Sequence, residues 1–160
     1  MKKVLFVCIE NARRSQMAEA FLNSLAKGEA VATSAGARPA SKVDEKAVTV
    51  MKEIGIDIAK QRPKALTINM IEETDLVITM GCGVDVCPVV PRRVDEWKIE
   101  DPAGKPLWKF RKVRNEIRKR VEKLVQNLEK TENSFLQVNR DHNLDYGNCQ
   151  RIWGEASPRG

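Results

Sequence analysis

Aromatic side chains are scarce in this 160-residue chain, at 5%, and none lies between Phe21 and Trp97. Apolar runs are short as well. The longest, such as Val4 to Cys8, fall far below the roughly 18 residues that span a bilayer, and no charged-then-apolar leader precedes them. Neither membrane insertion nor export is expected. Cysteine is sparse: Cys8, Cys82, Cys87 and Cys149 are too few to scaffold a protein of this size, so they read as reduced thiols in the cytoplasm. Histidine occurs once, at His142, in a polar stretch where it reads as solvated surface. Two cysteines, Cys82 and Cys87, with no histidine nearby make a poor zinc set, and no metal is expected.

What the chain does have is positive charge, a net +6. It is not spread evenly. Between Arg92 and Lys123 twelve Lys or Arg face six Asp or Glu, which accounts for the whole excess. The acids interleave with the bases, and the only aromatics there are Trp97, Trp108 and Phe110, so no stacking platform for nucleic acid is evident. The segment reads as a solvated helix face that can steer an oxyanion or an acidic redox partner. A non-enzymatic anion or nucleic-acid binder is thus the weakest reading, and no nucleic-acid partner is expected.

Val4 to Val7 reads as a strand, and Met17, Ala18, Phe21, Leu22 and Leu25 then recur at helical spacing until Gly28. Val31 to Thr33 reads as a second strand, followed by a helix through Val43, Ala47, Met51 and Ile54, with Ser41 or Asp44 as N-cap and Gly55 as stop. Asp75 to Met80 reads as a buried strand after a short helical stretch, and Val94 to Ile99 as a fourth strand. Phe110, Val113, Ile117, Val121, Leu124 and Leu128 form the stripe of a long helix. This alternation predicts an α/β fold, a doubly wound four-stranded parallel sheet with flanking helices, in which ligands sit beyond the carboxyl ends of the strands. The loops after Val7, Met80 and Ile99 are therefore where a site belongs. Periodicity fails near Thr131, so residues 1–130 read as the domain and 131–160 as a loosely packed C-terminal extension, with Cys149 an incidental thiol.

The segment from Cys8 to Ser15, CIENARRS, has the pattern Cys, five residues, Arg, Ser. Taken alone, Cys8 would read as a small core residue and Arg14 as a surface cation. The position at the first strand-to-helix junction favours a site instead. A loop that wraps a helix N-terminus turns backbone N–H groups inward, and with the helix dipole these make a cradle for a tetrahedral oxyanion. Arg14 adds a two-pronged clamp, and the same positive surroundings stabilise a thiolate at Cys8, to which Ser15 can donate a hydrogen bond. A nucleotide-binding P-loop is excluded, because no Gly-Lys-Ser/Thr follows. Asp101-Pro102 after a strand end fixes the backbone and can aim a carboxyl over the cradle.

CIENARRSQMAEAF resembles the signature of the low-molecular-weight protein tyrosine phosphatase superfamily, which includes the thioredoxin-coupled arsenate reductases. The likeness continues through TSAG at Thr33 to Gly36, DLVITMGC at Asp75 to Cys82 and EDPAG at Glu100 to Gly104, and covers roughly residues 2–130. It implies Cys8 as nucleophile, oxyanion binding by Ile9, Glu10, Asn11, Ala12, Arg13 and Arg14, a supporting Ser15, a loop-bracing role for Asn11 and a general acid at Asp101.

Phosphatase and reductase both begin with attack by Cys8 on an oxyanion, and two features favour reduction. Cys82 and Cys87 share a loop at the same sheet edge. Five extended residues span up to about 17 Å, whereas a disulfide needs Cα atoms about 4.4 to 6.8 Å apart; Gly81, Gly83 and Pro88 suit a chain that folds back. The aromatic gap after Phe21 also leaves no expected wall for a phosphotyrosine ring. The bland alternative is two apolar thiols in a strand-end loop. On the redox reading, Cys8 forms an adduct with arsenate, Cys82 attacks Cys8 as arsenite leaves, and Cys87 then takes Cys82 into a disulfide. No bound cofactor is expected; thioredoxin or a low-molecular-weight thiol is the external reductant, and phosphate or sulfate would mimic the substrate. The short Cys82-x4-Cys87 spacing resembles the TMGCG-type loops of a related branch, some members of which use small thiols. Arg13 stands where many relatives carry a second loop cysteine. Potassium-binding relatives use an Asn, a Glu, a Ser and an Asp; Asn11, Glu19 and Ser34 match, while Lys64 replaces the Asp and can supply a cation itself, so no potassium dependence is expected.

Overall fold

The computed structural model describes residues 1–81 and 94–141, with side chains as far as residue 130. Cys82, Cys87, His142 and Cys149 lie outside the described residues, and with them the expected disulfide relay. The elements run β1 (Lys2–Cys8), α1 (Arg14–Leu25), β2 (Ala30–Gly36), α2 (Glu45–Lys52), α3 (Ile68–Glu72), β3 (Leu76–Thr79), β4 (Val94–Glu96) and α4 (Leu107–Asp141).

β1 carries the apolar run Val4–Cys8 and takes a central place, in the order β2-β1-β3-β4 with every pairing parallel. Because successive side chains point to opposite faces, a strand with helices on both sides must be apolar throughout. Val4 to Cys8 meets this requirement, each residue at most 3% exposed. Leu5, Val7, Ala35 and Val77 form one cluster with Ile71 of α3, while the largest wholly buried side chains include Phe6, Phe21, Met17, Met51 and Phe110. Each such side chain contributes about 1.5–3 kcal/mol on burial. The register sets Cys8 opposite Gly36.

The helix caps follow the sequence. Asp44, not Ser41, caps α2, its carboxylate accepting from Lys46 N at 2.9 Å, and Thr67 caps α3. β4 is shorter than the expected Val94 to Ile99. The last ladder bond is Trp97 N to Thr79 O at 2.8 Å, after which the Ile99 carbonyl turns to accept from Arg14 instead. Residues Met1–Val125 form one compact unit. Helix α4 continues to Asp141, beyond Thr131, where the apolar repeat stops; TENSFLQVNRD contains no Gly or Pro to end it. The basic face of α4 is largely paired: Arg118 with Glu122, Arg120 with Glu116 and Arg111 with Glu53. Arg114 departs from the expected outward orientation. It is buried and donates to Val50 O at 2.8 Å and Glu53 Oε1 at 2.9 Å, tying α4 to the end of α2.

Candidate active site

Residues 8–13 wrap the start of α1, and four of their carbonyls turn to the segment after β2. Those of Cys8, Ile9, Glu10 and Ala12 accept from the N–H groups of Ala37, Arg38, Ala40 and Asp44, at 3.3, 2.8, 2.9 and 3.0 Å. A peptide whose oxygen faces one way presents its N–H the other way, so the segment after β2 turns the loop into a concave row of donors. Gly36 is what allows this contact: a Cβ there would lie 2.8 Å from Ile9 O and 2.9 Å from Asn11 N, both backbone atoms. At the end of the row, α1 begins at Arg13 with no side-chain cap and no acidic residue in its first turn. Its N-terminal N–H groups and dipole are left for an anion.

The Cys8 sulfur receives a defined set of hydrogen bonds. Asn11 N donates to it at 3.2 Å, and Ser15 Oγ lies 2.8 Å away. Asn11 orients the Ser15 hydroxyl. Its Oδ1 accepts from the Lys64 backbone N at 2.9 Å and from Gln16 Nε2 at 3.0 Å, which leaves Nδ2 to donate to Ser15 Oγ at 2.7 Å. With one lone pair taken by Asn11 Nδ2, the Ser15 hydroxyl is oriented so that its proton is available to the sulfur. Cys8 is a free, buried thiol. Asn11 adopts φ 51°, a left-handed conformation that Asn tolerates better than most residues.

Arg14 is 5% exposed and donates from Nη1 to Ile99 O at 3.0 Å, while its Nη2 faces Asp101 Oδ2 at 3.6 Å. Gly81, at φ 80°, allows this placement, since a Cβ there would come within 2.6 Å of Arg14 Nη1. Of the loop residues, Ile9 and Glu10 are exposed at the rim, and Asn11 and Ala12 are buried beneath it. Arg13 directs its side chain at carboxylates: Glu10, Asp44 at 3.2 Å and Asp101 at 3.0 Å. Burial works against its charge, but the Glu10 hydrogen bond and the neighbouring Asp101 and Asp44 raise its affinity for the proton overall. Cys8, Arg14, Ser15 and Asp101 are thus gathered at one sheet edge.

Behind the loop, Glu19 is packed with Ser34 Oγ at 3.1 Å, Gln61 Nε2 at 3.2 Å and the Lys64 ammonium at 3.9 Å. Burial raises its carboxyl above the ordinary value, only partly countered by Lys64 and Ser34. Three contributors escaped sequence reasoning. Gln16 is fully buried and spans Asn11 O, Asn11 Oδ1 and Arg62 O; its signal was a polar residue beside the apolar stripe of α1. Gly36 and the backbone of residues 37–44 had no side-chain signature beyond the glycine itself. A cavity of about 800 Å³ also opens between α2 and residues 59–62, but none of Cys8, Arg14 or Asp101 lines it.

A strand-end cysteine with two hydrogen-bond partners, a loop whose carbonyls turn away and a buried arginine form an arrangement suited to a tetrahedral oxyanion. The model of the low molecular weight phosphotyrosine protein phosphatase family matches residues 3–134, and the chain belongs to that family. It is 41% identical over 128 residues to the glutaredoxin arsenate reductase of Synechocystis, an alignment covering 78% of this chain and 97% of that protein. Among solved structures it is similar to an arsenate reductase in the phosphate binding state, with 39% identity and TM-score 0.72 over 80% of this chain and 99% of that one. It also resembles the thioredoxin-dependent arsenate reductase of Corynebacterium glutamicum, with 36% identity and TM-score 0.73 over 82% of this chain and 63% of that one.

Proposed function

We infer that this protein is an arsenate reductase, converting arsenate to arsenite through a covalent intermediate on Cys8. The observation that supports the chemistry is the outward turn of the loop carbonyls, which leaves N–H groups on the concave side of the loop that carries Cys8 and Arg14. The reductases among its relatives support reduction over phosphate-ester hydrolysis.

The Cys8 sulfur, hydrogen-bonded to Asn11 N and to the Ser15 hydroxyl, attacks arsenic. The S–As bond forms, an As–O bond breaks, and Asp101 supplies the proton with which the leaving oxygen departs as water. Arsenic is still pentavalent. The Cys82 thiolate then attacks the Cys8 sulfur, the electron pair of the S–As bond passes to arsenic, and arsenite leaves as the Cys8–Cys82 disulfide forms. Cys87 attacks Cys82, regenerating the Cys8 thiolate, and an external thiol reduces the Cys82–Cys87 disulfide. That thiol is a thioredoxin-like dithiol protein or a low-molecular-weight thiol, and no bound cofactor takes part. Small oxyanions such as phosphate and sulfate compete for the cradle. No described helix is long and apolar enough to cross a membrane.

The test combines turnover with thiol mapping. Purified protein with arsenate, thioredoxin, its reductase and NADPH, or with glutathione and glutaredoxin in their place, should consume NADPH. Alkylation followed by mass spectrometry should find Cys82 and Cys87 protected after one turnover without reductant. Cys82→Ser should stop after the first step. Brisk hydrolysis of an aryl phosphate by Cys82→Ser, with no arsenate turnover by the unaltered protein, would establish the phosphatase alternative.

A further inference from the structure

Arg13 and Arg14 are adjacent, but their guanidinium groups face different partners. The Arg13 side chain is only 12% exposed and joins three segments at the carboxyl edge of the sheet. It donates to Glu10 in the loop after β1, to Asp44 at the N-cap of α2 and to Asp101 on the connection to α4. Asp44 is itself fixed, because its other oxygen caps α2 through Lys46 N at 2.9 Å. Glu10 and Asp44 therefore hold the Nη1 and Nη2 side of the guanidinium, leaving Nε to meet Asp101 Oδ1 at 3.0 Å. The same Oδ1 accepts from Ala103 N at 3.1 Å. Two donors occupy the two lone pairs of that oxygen. Oδ2 is the oxygen turned toward the oxyanion clamp, 3.6 Å from Arg14 Nη2 and thus beyond hydrogen-bonding distance of it.

We propose that Arg13 is a positioning residue that ties down Asp101 Oδ1, so that Oδ2 alone carries the proton delivered to the leaving oxygen of the substrate. The proposal rests on the reading of Asp101 as general acid. In the step concerned, the Cys8 sulfur bonds to arsenic, the As–O bond breaks, the Oδ2 proton moves to the departing oxygen, and Asp101 is left as a carboxylate between two arginines. No electron passes to arsenic here. A carboxyl free to rotate would present either oxygen, each at varying distance; one held through Oδ1 presents a single oxygen at a fixed place.

The measurement is the single-turnover rate at which free Cys8 thiol disappears on mixing with arsenate, with phosphate affinity by calorimetry as a check on the cradle. Arg13→Gln is expected to slow thiol loss about tenfold, within the range that positioned acid catalysis supplies, while phosphate Kd changes less than about threefold, since Arg13 is not part of the clamp. Arg13→Lys should recover part of the rate. In an Asp101→Asn background, which is itself slow, Arg13→Gln should have no further effect, because the group it positions is gone. The proposal is overturned if Arg13→Gln slows the Asp101→Asn protein as much as the unaltered one, or if rate and phosphate affinity fall together in both Arg13→Gln and Arg13→Lys. If Asp101→Asn alone leaves the rate intact, the acid reading itself fails, and the positioning role with it.

Discussion

Replacing Asn11 tests the loop architecture through stability, apart from any assay of turnover. Asn11 is wholly buried and holds φ 51°, and its side chain accepts from Lys64 N and Gln16 Nε2 while donating to Ser15 Oγ. In Asn11→Ala, Gln16 retains Asn11 O and Arg62 O as acceptors and Ser15 retains Cys8, but the Lys64 N–H loses its acceptor. A buried unsatisfied N–H costs about 1–3 kcal/mol, and alanine in the left-handed region adds about 1 kcal/mol. The expected loss is about 2–4 kcal/mol, large against a typical total of about 5–15 kcal/mol. Asn11→Gly keeps the backbone conformation accessible and should be the milder change by about 1 kcal/mol. Urea unfolding followed by circular dichroism reads both as a shift in midpoint with unchanged slope. Alkylation of Cys8 by iodoacetamide should slow equally in the two variants, since both remove the amide that orients the Ser15 proton. Losses below about 0.5 kcal/mol in both, or a glycine variant no better than the alanine one, would refute the account of the loop.

Gly36→Ala should cost about 1–3 kcal/mol by overpacking and weaken phosphate binding in calorimetry, because the added Cβ meets backbone of Ile9 and Asn11. Glu19→Gln should stabilise the protein at neutral pH. The folded carboxyl is raised above its ordinary 4.5 mainly by burial, so its contribution is full below 4.5 and is lost as pH rises through the folded value. The advantage of glutamine in urea unfolding should therefore vanish on acidification, and an advantage that grows toward low pH contradicts this sign. Initial rates at fixed ionic strength should not change when sodium is exchanged for potassium, because the Lys64 ammonium stands beside Glu19. Lys64→Asp is expected to introduce a potassium dependence, and its absence would show that the ammonium does not act in a cation's place.

Much of this arrangement was legible in the sequence, because the same residues that end the strands also start the chemistry. The apolar run at β1 and the stripe through Met17 and Phe21 fix the first strand–loop–helix unit, and that unit alone places Cys8, Arg14 and Ser15. The Asp101 carboxyl was foreseen from Asp-Pro after a strand, although β4 ends earlier than its apolar pattern suggests, since Ile99 is recruited by Arg14. What sequence could not supply was partnership across long separations. The resemblance implies a cradle role for Arg13, but a sequence gives its side chain no direction; its three carboxylates lie up to 88 positions away. The outward turn of the carbonyls depends on residues 37–44 through their backbone, which any side chain shares. Helix α4 outlasts its apolar stripe as the propagation of a helix already nucleated upstream, through a stretch without Gly or Pro.

The hydrogen-bond partners of the Cys8 sulfur are a peptide amide and a hydroxyl, and the group that orients the hydroxyl is a carboxamide. None of the three gains or loses a proton between acid and mildly alkaline conditions. These three groups are dipoles of fixed strength, so among the described residues the direct partners of the sulfur act as constants while the medium varies. Acidification can then alter the substrate anion, but not these three groups that surround the sulfur. The same neutrality spares the framework from the oxidants that a redox-active thiol meets, because an amide, a carboxamide and a serine hydroxyl are inert where a second thiol in the loop would not be.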